Sequence, residues 1–252
     1  MCTIALLIDI VEGAPLVLAA NRDELYARET RAPDVLSRSP RIVGGKDLLS
    51  GGTWLAVRAD GRFAAVTNQR AVATPPPGLR SRGHAVLELA ASDDPGAYVD
   101  GIDATRYASM NLVWSDARGR VAIAHARRED GTVDVVHLPP GVHVLCNDRL
   151  GSPGFPRGER LAAALLAAPR RWPDAVPAIA AALADHTRVE PPPSELPPEI
   201  ARELTATCIH SPAYGTRSAS IVAARPGATI AYLHADGPPC TVPFEDRTEL
   251  LA

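Results

Sequence analysis

The sequence predicts an α+β domain in which antiparallel sheets are covered by helices. Three observations lead there. Short runs of strand character in the first third of the chain are joined by turn residues such as "EGAP" and "ADGR". The spacing of apolar residues then changes from a strand pattern to a helical one in two separate blocks. Strand character returns after each block, so the order is strands, two helices, strands, two helices, strands. Hairpins with helices inserted in pairs bury both kinds of apolar face in layers.

The first strands are "TIALLIDI", "PLVLAANR", "TWLAVRA" and "RFAAVTN", and "ADGR" between the last two is a strong hairpin signal. In "SRGHAVLELAASDDPGAYVDGI" Val86, Leu87 and Ala90 share a helical face, and Asp93, Asp94 and Pro95 mark the start of a second short helix. Strands resume with "MNLVWSD", "RVAIAHAR", "VDVVHLP" and "VHVLCND", separated by "ARGR", "EDGT" and "PPG" turns. The second helical block places Leu161, Ala164, Leu165 and Ala168 on one side, then Val176, Ile179, Ala180 and Leu183. "TATCIHS", "SASIVAAR", "TIAYLHAD" and "CTVPF" read as the last strands. The proline-rich stretch from Val189 to Pro198 reads as a rigid loop. The strands beyond it are too few to stand alone, so they complete an existing sheet and residues 1–252 read as one domain.

Bulk composition narrows the function classes. With 26 basic and 29 acidic residues the chain carries a formal charge of −3, which is no footprint for nucleic acid or an anionic membrane. No run approaches the ~20 apolar residues of a membrane span, and no basic leader precedes the first apolar stretch. The four cysteines, at 2, 146, 208 and 240, contain no CxxC pair. That pattern predicts neither a disulfide framework nor a zinc site, and a reducing, cytoplasmic setting fits it. The seven histidines lack HExxH or any other close ligand spacing, so no metal is expected. "GGKDLLSGGT" fails as a phosphate loop, because Pro40 stands where the first glycine belongs and Asp47 follows the lysine.

Cys2 directly follows the initiator methionine and is small enough for that methionine to be removed. Removal would leave an α-amine of pKa ~8 beside a thiol of pKa ~8.5, so nucleophile and base would reside on one residue. A free cysteine is also commonly a small buried apolar residue. "NRDE", Asn21 to Glu24, ends an apolar strand able to pair with the first one, which would bring its polar end to Cys2. Such a cluster also occurs as a structural knot of arginine–carboxylate pairs. Asn68, Asn111 and Asn147 stand at strand ends, where a side-chain amide serves as an oxyanion donor or as an ordinary turn residue.

Cys2, "NRDE", "SGGTWLAV", "TNQR", "SRG", "LCN" and "YGTRSAS" occur in this order from Met1 to about Phe244. That ordered set resembles the NRDE family, also called the transport and Golgi organisation protein 2 family. It is more distantly similar to the N-terminal-nucleophile hydrolases that cleave bile-salt and penicillin amides. The resemblance implies an αββα sandwich with Cys2 at the end of a central strand. It implies Cys2 as nucleophile, Asp23 holding the α-amine, Asn68 and Asn147 supplying or supporting the oxyanion hole, and Arg217 near the nucleophile. Asn21, Arg22, Glu24 and Trp54 are expected to contact substrate. Those hydrolases carry an arginine three residues before the aspartate, where this chain has Ala20.

Two function classes follow. One is an enzyme that cleaves a linear amide or thioester of a small acyl substrate through a cysteinyl acyl-enzyme, with no cofactor. In it Cys2 is expected to be a partly exposed, low-pKa thiol near Asp23, Arg22 and Arg217. The other is a carrier that holds haem or an apolar lipid ligand in the same pocket, because eukaryotic members of the family are linked to haem mobilisation and lipid homeostasis. The sequence has no Cys-Pro haem motif.

Overall fold

Two antiparallel sheets lie face to face, and a helical layer covers the outer side of each. The computed structural model describes residues 2–70 and 76–252. Its elements, in chain order, are β1 (Cys2–Ile8), β2 (Leu16–Leu25), β3 (Thr30–Arg38), β4 (Arg41–Asp47), β5 (Leu55–Arg58) and β6 (Phe63–Asn68). Helices α1 (Arg82–Ala91) and α2 (Pro95–Asp100) precede β7 (Met110–Ser115), β8 (Val121–Arg127), β9 (Thr132–His137) and β10 (Gly141–Leu145). Then come α3 (Pro156–Leu166), α4 (Val176–Leu183), α5 (Pro198–Glu203), β11 (Tyr214–Arg225), β12 (Ala228–Ala235) and β13 (Glu245–Asp246).

The first sheet runs β10-β1-β2-β11-β12-β13 and the second β3-β4-β5-β6-β7-β8-β9. The late strands β11 and β12 join the sheet begun by β1 and β2, as the sequence predicts. Strand alternation builds the layers. Ile4, Leu6, Ile8, Leu16 and Leu18 meet Leu55, Val57, Phe63, Val113 and Ile123 between the sheets. The alternate residues Ala5, Leu7, Val17 and Ala19 turn outward to Leu161 and Leu165 of α3 and Ile179 and Leu183 of α4. On the other side Val86 and Leu89 of α1 and Val99 of α2 cover Ala56, Ala64, Leu112 and Trp114. Small residues dominate the outer faces of the strands, which lets the helices sit close. Each large apolar side chain in these layers contributes about 2 kcal/mol through burial.

Several expectations are corrected. The buried face of α1 is Ala85, Val86, Leu89 and Ala90, with Leu87 only half-buried, and Ala164 of α3 is exposed. β3 and β4 form a hairpin at the edge of the second sheet that the sequence pattern does not reveal. "TATCIHS" is not a strand: the Cys208 amide bonds to the Asp185 carbonyl and the Ile209 amide to the Thr216 hydroxyl, and only an isolated bridge, His210 to Gly215, joins it to β11. "CTVPF" is a turn, and only Glu245–Asp246 pairs beyond it. The proline-rich stretch ends in the short helix α5. No helix among the described residues is long and apolar enough to cross a membrane.

Candidate active site

β1 and β2 pair antiparallel, with Cys2 opposite Arg22 and Thr3 opposite Asn21. Strand alternation therefore divides NRDE between two layers. Ile4 and Leu6 face the inter-sheet core, so Cys2, in phase with them, faces the same side. Arg22 and Glu24 continue the inward series of Leu16, Leu18 and Ala20. Asn21 and Asp23 continue the outward series of Val17 and Ala19, toward the helices.

Asn21 is a clamp. Its side-chain amide donates to the carbonyls of Leu183 and Thr207, both at 2.9 Å, and ties β2 to the end of α4 and to the segment before β11. It is not among the residues lining the cavity described below, and it borders a smaller pocket beside Cys2, Arg22 and Trp54.

Arg22 is buried, lies over the Trp54 ring at 4.3 Å from the centroid, and approaches Asp47 at 3.9 Å. Arg28 holds Asp47 more closely, at 2.7 Å. Cys2, Arg22, Glu24, Trp54 and Asn68 open onto one cavity of about 370 Å³, joined by Arg28, Arg80 and Arg82. Arg82 and Arg80 come from "SRG" and its neighbour at the start of α1. That segment meets "SGGTW" because Gly52 and Gly83 pack backbone to backbone, where a Cβ on either would overlap the other chain. The Thr53 amide donates to the Gly83 carbonyl at 3.2 Å. Two motifs distant in sequence thereby form one wall.

Burial pushes the Cys2 thiol above its ordinary pKa, and the Asp23 charge adds to this. Arg22 and a hydrogen bond from the Asp23 backbone amide act in the opposite direction without reversing the shift. As long as Cys2 remains amide-linked, this differs from the low-pKa thiol expected from the sequence. The reason is desolvation, which disfavours a thiolate unless enough charge faces it.

Asp23 is fully buried and accepts a hydrogen bond from the Thr216 hydroxyl at 2.7 Å. Burial raises its carboxyl pKa, opposed chiefly by Arg157 and also by Thr216 and Arg22. Arg157, in the first turn of α3, is 2% exposed. It donates to the Asn147 side-chain carbonyl at 2.8 Å and to the Leu204 carbonyl at 3.1 Å. Asn147 in turn donates to the backbone carbonyl of Asn68 at 3.0 Å. Asn147 thus supports Asn68 and is not itself part of the cavity wall.

Arg217 sits in a bulge of β11 between Thr216 and Ser218, and its guanidinium donates to the Tyr26 carbonyl. It is absent from the cavity wall. The bulge turns Thr216 to Asp23 and sends the next side chain elsewhere. The guanidinium that acts most on the Cys2 thiol is that of Arg22, and Arg82 lines the same cavity. Arg157 was not legible as a site residue, since an arginine behind a proline at a helix start looks like a surface residue. Arg82 was available in "SRG".

The absence of close metal-ligand spacing holds along the chain and fails in space. His186, Cys208, His210 and Cys240 converge away from the cavity, with ligand atoms all within 4.8 Å of one another.

Comparison with known proteins agrees with this architecture. Residues 1–234 match the family model "Transport and Golgi organisation 2". A Transport and Golgi organization protein 2 homolog from Bos taurus is 31% identical over 230 residues, 82% of this chain and 81% of the relative. Its Homo sapiens counterpart is 30% identical over 232 residues, 82% of this chain and 81% of the relative. Among solved structures, penicillin V acylase from Agrobacterium tumefaciens aligns with TM-score 0.58 at 15% identity, covering 99% of this chain and 87% of the acylase. The C2A mutant of conjugated bile acid hydrolase from Clostridium perfringens aligns with TM-score 0.58 at 12% identity, covering 100% and 94%. At these identities the likeness is one of fold, and the fold is that of the N-terminal-nucleophile hydrolases. The match over nearly the whole chain, with relatives at 30–31% identity, places the chain in the Transport and Golgi organisation 2 family.

Proposed function

We propose that the protein is a cysteine N-terminal-nucleophile hydrolase acting on a linear amide, or thioester, of a small anionic acyl compound. The observation that carries this reading is the Cys2 thiol in a cavity of about 370 Å³ walled by Arg22, Arg28, Arg80 and Arg82. Cleavage of the bond before Cys2 would free its α-amine at the end of β1, where β2 passes through Arg22 and Asp23. The buried Asp23 carboxylate would hold that amine, and Thr216 and Arg157 would hold Asp23.

In the reaction the Cys2 Sγ–H proton passes to the neutral α-amine as Sγ attacks the substrate carbonyl. The side-chain amide of Asn68 serves the developing oxyanion, a role worth about 3 kcal/mol of barrier. Collapse expels the amine or thiol leaving group, which takes up the proton and leaves a thioester on Cys2. Water, deprotonated by the same α-amine, hydrolyses the thioester and regenerates the thiol. Arg22 and Arg28 are already engaged with Asp47 and Arg80 with Glu88, so Arg82 is the guanidinium left for an anionic substrate group: among the described residues it has no carboxylate within ion-pair distance.

The test is intact-mass analysis of purified protein during incubation with N-acyl amino acids and acyl thioesters. Loss of Met1, a transient acyl adduct on Cys2 and product release are expected, with Cys2→Ser much slower. Retained Met1, or an unreactive Cys2 with stoichiometric and unchanged retention of haem or lipid, would replace this reading with the carrier one.

A further inference from the structure

Three segments far apart in sequence meet beside the first sheet. His186 follows α4, Cys208 and His210 lie between α5 and β11, and Cys240 lies in the turn after β12. Cys208 Sγ and Cys240 Sγ are 3.7 Å apart. His210 Nε2 lies 3.3 Å from Cys240 Sγ and 3.7 Å from Cys208 Sγ.

These separations have a specific meaning. A tetrahedral zinc ion with Zn–S of about 2.3 Å and Zn–N of about 2.0 Å requires sulfur–sulfur edges of about 3.8 Å and sulfur–nitrogen edges of about 3.5 Å. A disulfide would bring the sulfurs to about 2.05 Å. The His186 ring packs on His210 at 4.8 Å between centroids and is exposed, so a small rotation closes the fourth corner.

Hydrogen bonds to the surrounding chain hold the segments in place. The Cys208 amide donates to the Asp185 carbonyl at 2.9 Å, and the His210 amide donates to Glu203 Oε1 at 2.7 Å. His186 Nδ1 lies 3.1 Å from the Cys208 carbonyl. A proton on that nitrogen completes the bond and leaves the Nε2 lone pair for a metal, the usual orienting contact of a ligating histidine.

We infer that His186, Cys208, His210 and Cys240 form a structural zinc site of the Cys₂His₂ type. Two thiolates and two imidazoles in a tetrahedral arrangement select zinc among the common divalent ions. Binding displaces the two thiol protons to solvent and leaves no open coordination position, so the ion is structural. It would fasten the end of α4, the approach to β11 and the β12–β13 turn. Ile209, between Cys208 and His210, donates from its amide to Thr216 Oγ1 at 2.9 Å, and Thr216 donates to Asp23 at 2.7 Å. The zinc would therefore steady the support of Asp23 while standing outside the catalytic cavity. This inference does not depend on Cys2 being a nucleophile.

Elemental analysis of the full chain, purified under reducing conditions from zinc-supplemented cells, should find about one zinc per chain. The Cys2→Ser variant should keep it, and the double variant Cys208→Ser/Cys240→Ser should lose at least about nine-tenths of it. Cobalt(II) in place of zinc should give tetrahedral ligand-field bands with thiolate-to-cobalt charge transfer. If the double variant does not fold, alkylation of wild type decides: Cys208 and Cys240 should be protected with zinc bound and labelled after chelation. Folded wild type that binds no zinc, a Cys208–Cys240 disulfide in reduced preparations, or zinc retained by the double variant would overturn the site.

Discussion

Arg157 donates from Nη2 to the side-chain carbonyl of Asn147 at 2.8 Å, inside the layer where α3 meets the first sheet. Both residues are almost completely buried, and Arg157 is also the chief cation acting on Asp23. Ala20 stands three residues before Asp23, and Arg157 supplies the positive charge from a different element. Arg157→Ala would remove the chief cation opposing the burial of Asp23 and take the Arg157 donor from the Asn147 oxygen. The expected loss is about 3–5 kcal/mol of stability, read from urea unfolding, and a near-neutral result would refute the linkage.

Cys2 reactivity should rise late on the pH scale. While Cys2 is still amide-linked, burial holds the thiol above its ordinary value and Arg22 counteracts this. The rate of iodoacetamide labelling should therefore have its midpoint above ~8.5, the value of an unperturbed thiol. Arg22→Gln should move it higher still. A midpoint at or below the unperturbed value would contradict the desolvated environment described for Cys2.

Arg82 should discriminate by substrate charge. Hydrogen bonds to a charged group are worth about 1.5–3 kcal/mol, so Arg82→Gln should raise KM for a carboxylate-bearing acyl amide about 10- to 100-fold. KM for its neutral ester should change little. Equal effects on both compounds would show that Arg82 does not read the anion.

Acid should weaken the fold through two histidines. Burial, with Arg149 contributing, lowers His125 to about 4, and burial with Arg247 lowers His234 to about 4. Unfolded histidines take up a proton near pH ~6.5, so below that point the unfolded chain binds protons that the folded chain refuses. The stability contributed by the neutral rings is complete above ~6.5 and is lost as the pH falls toward the folded values, with a slope of about 1.4 kcal/mol per pH unit for each histidine. His125 Nδ1 lies 2.7 Å from Asn111 Oδ1. His125→Gln preserves a donor there and removes the titration, so the acid slope should fall by about half in chemical denaturation run from pH 7 to 4.5. An unchanged slope would count against His125.

The layered architecture was legible in the sequence, because the near-continuous apolar runs of β1, β2, β7 and β11 need cover on both faces, and helical spacing in α1, α3 and α4 leaves one face of each helix to supply it. The family resemblance singled out Cys2, Asp23, Asn68 and Asn147, which the structure gathers at and behind one end of the first sheet. The sequence did not reveal β3 and β4. β3 is an edge strand with Pro33 and register shifts, and β4 carries Gly44 and Gly45, where a Cβ would overlap the Leu55 carbonyl and the Trp54 ring. Those glycines look like a loop until the close approach is visible.

Which side of β2 faces which layer, and hence that Arg22 joins Cys2 while Asn21 clamps α4, was settled by folding in three dimensions. Alternation separates the two sets, but it does not say which set meets the other sheet. Arg157, Arg217 and the His186–Cys208–His210–Cys240 tetrad were decided the same way. Hydrogen bonds, desolvation and metal geometry act over a few ångströms in space, and folding brings to that distance residues whose separation along the chain carries no mark of it.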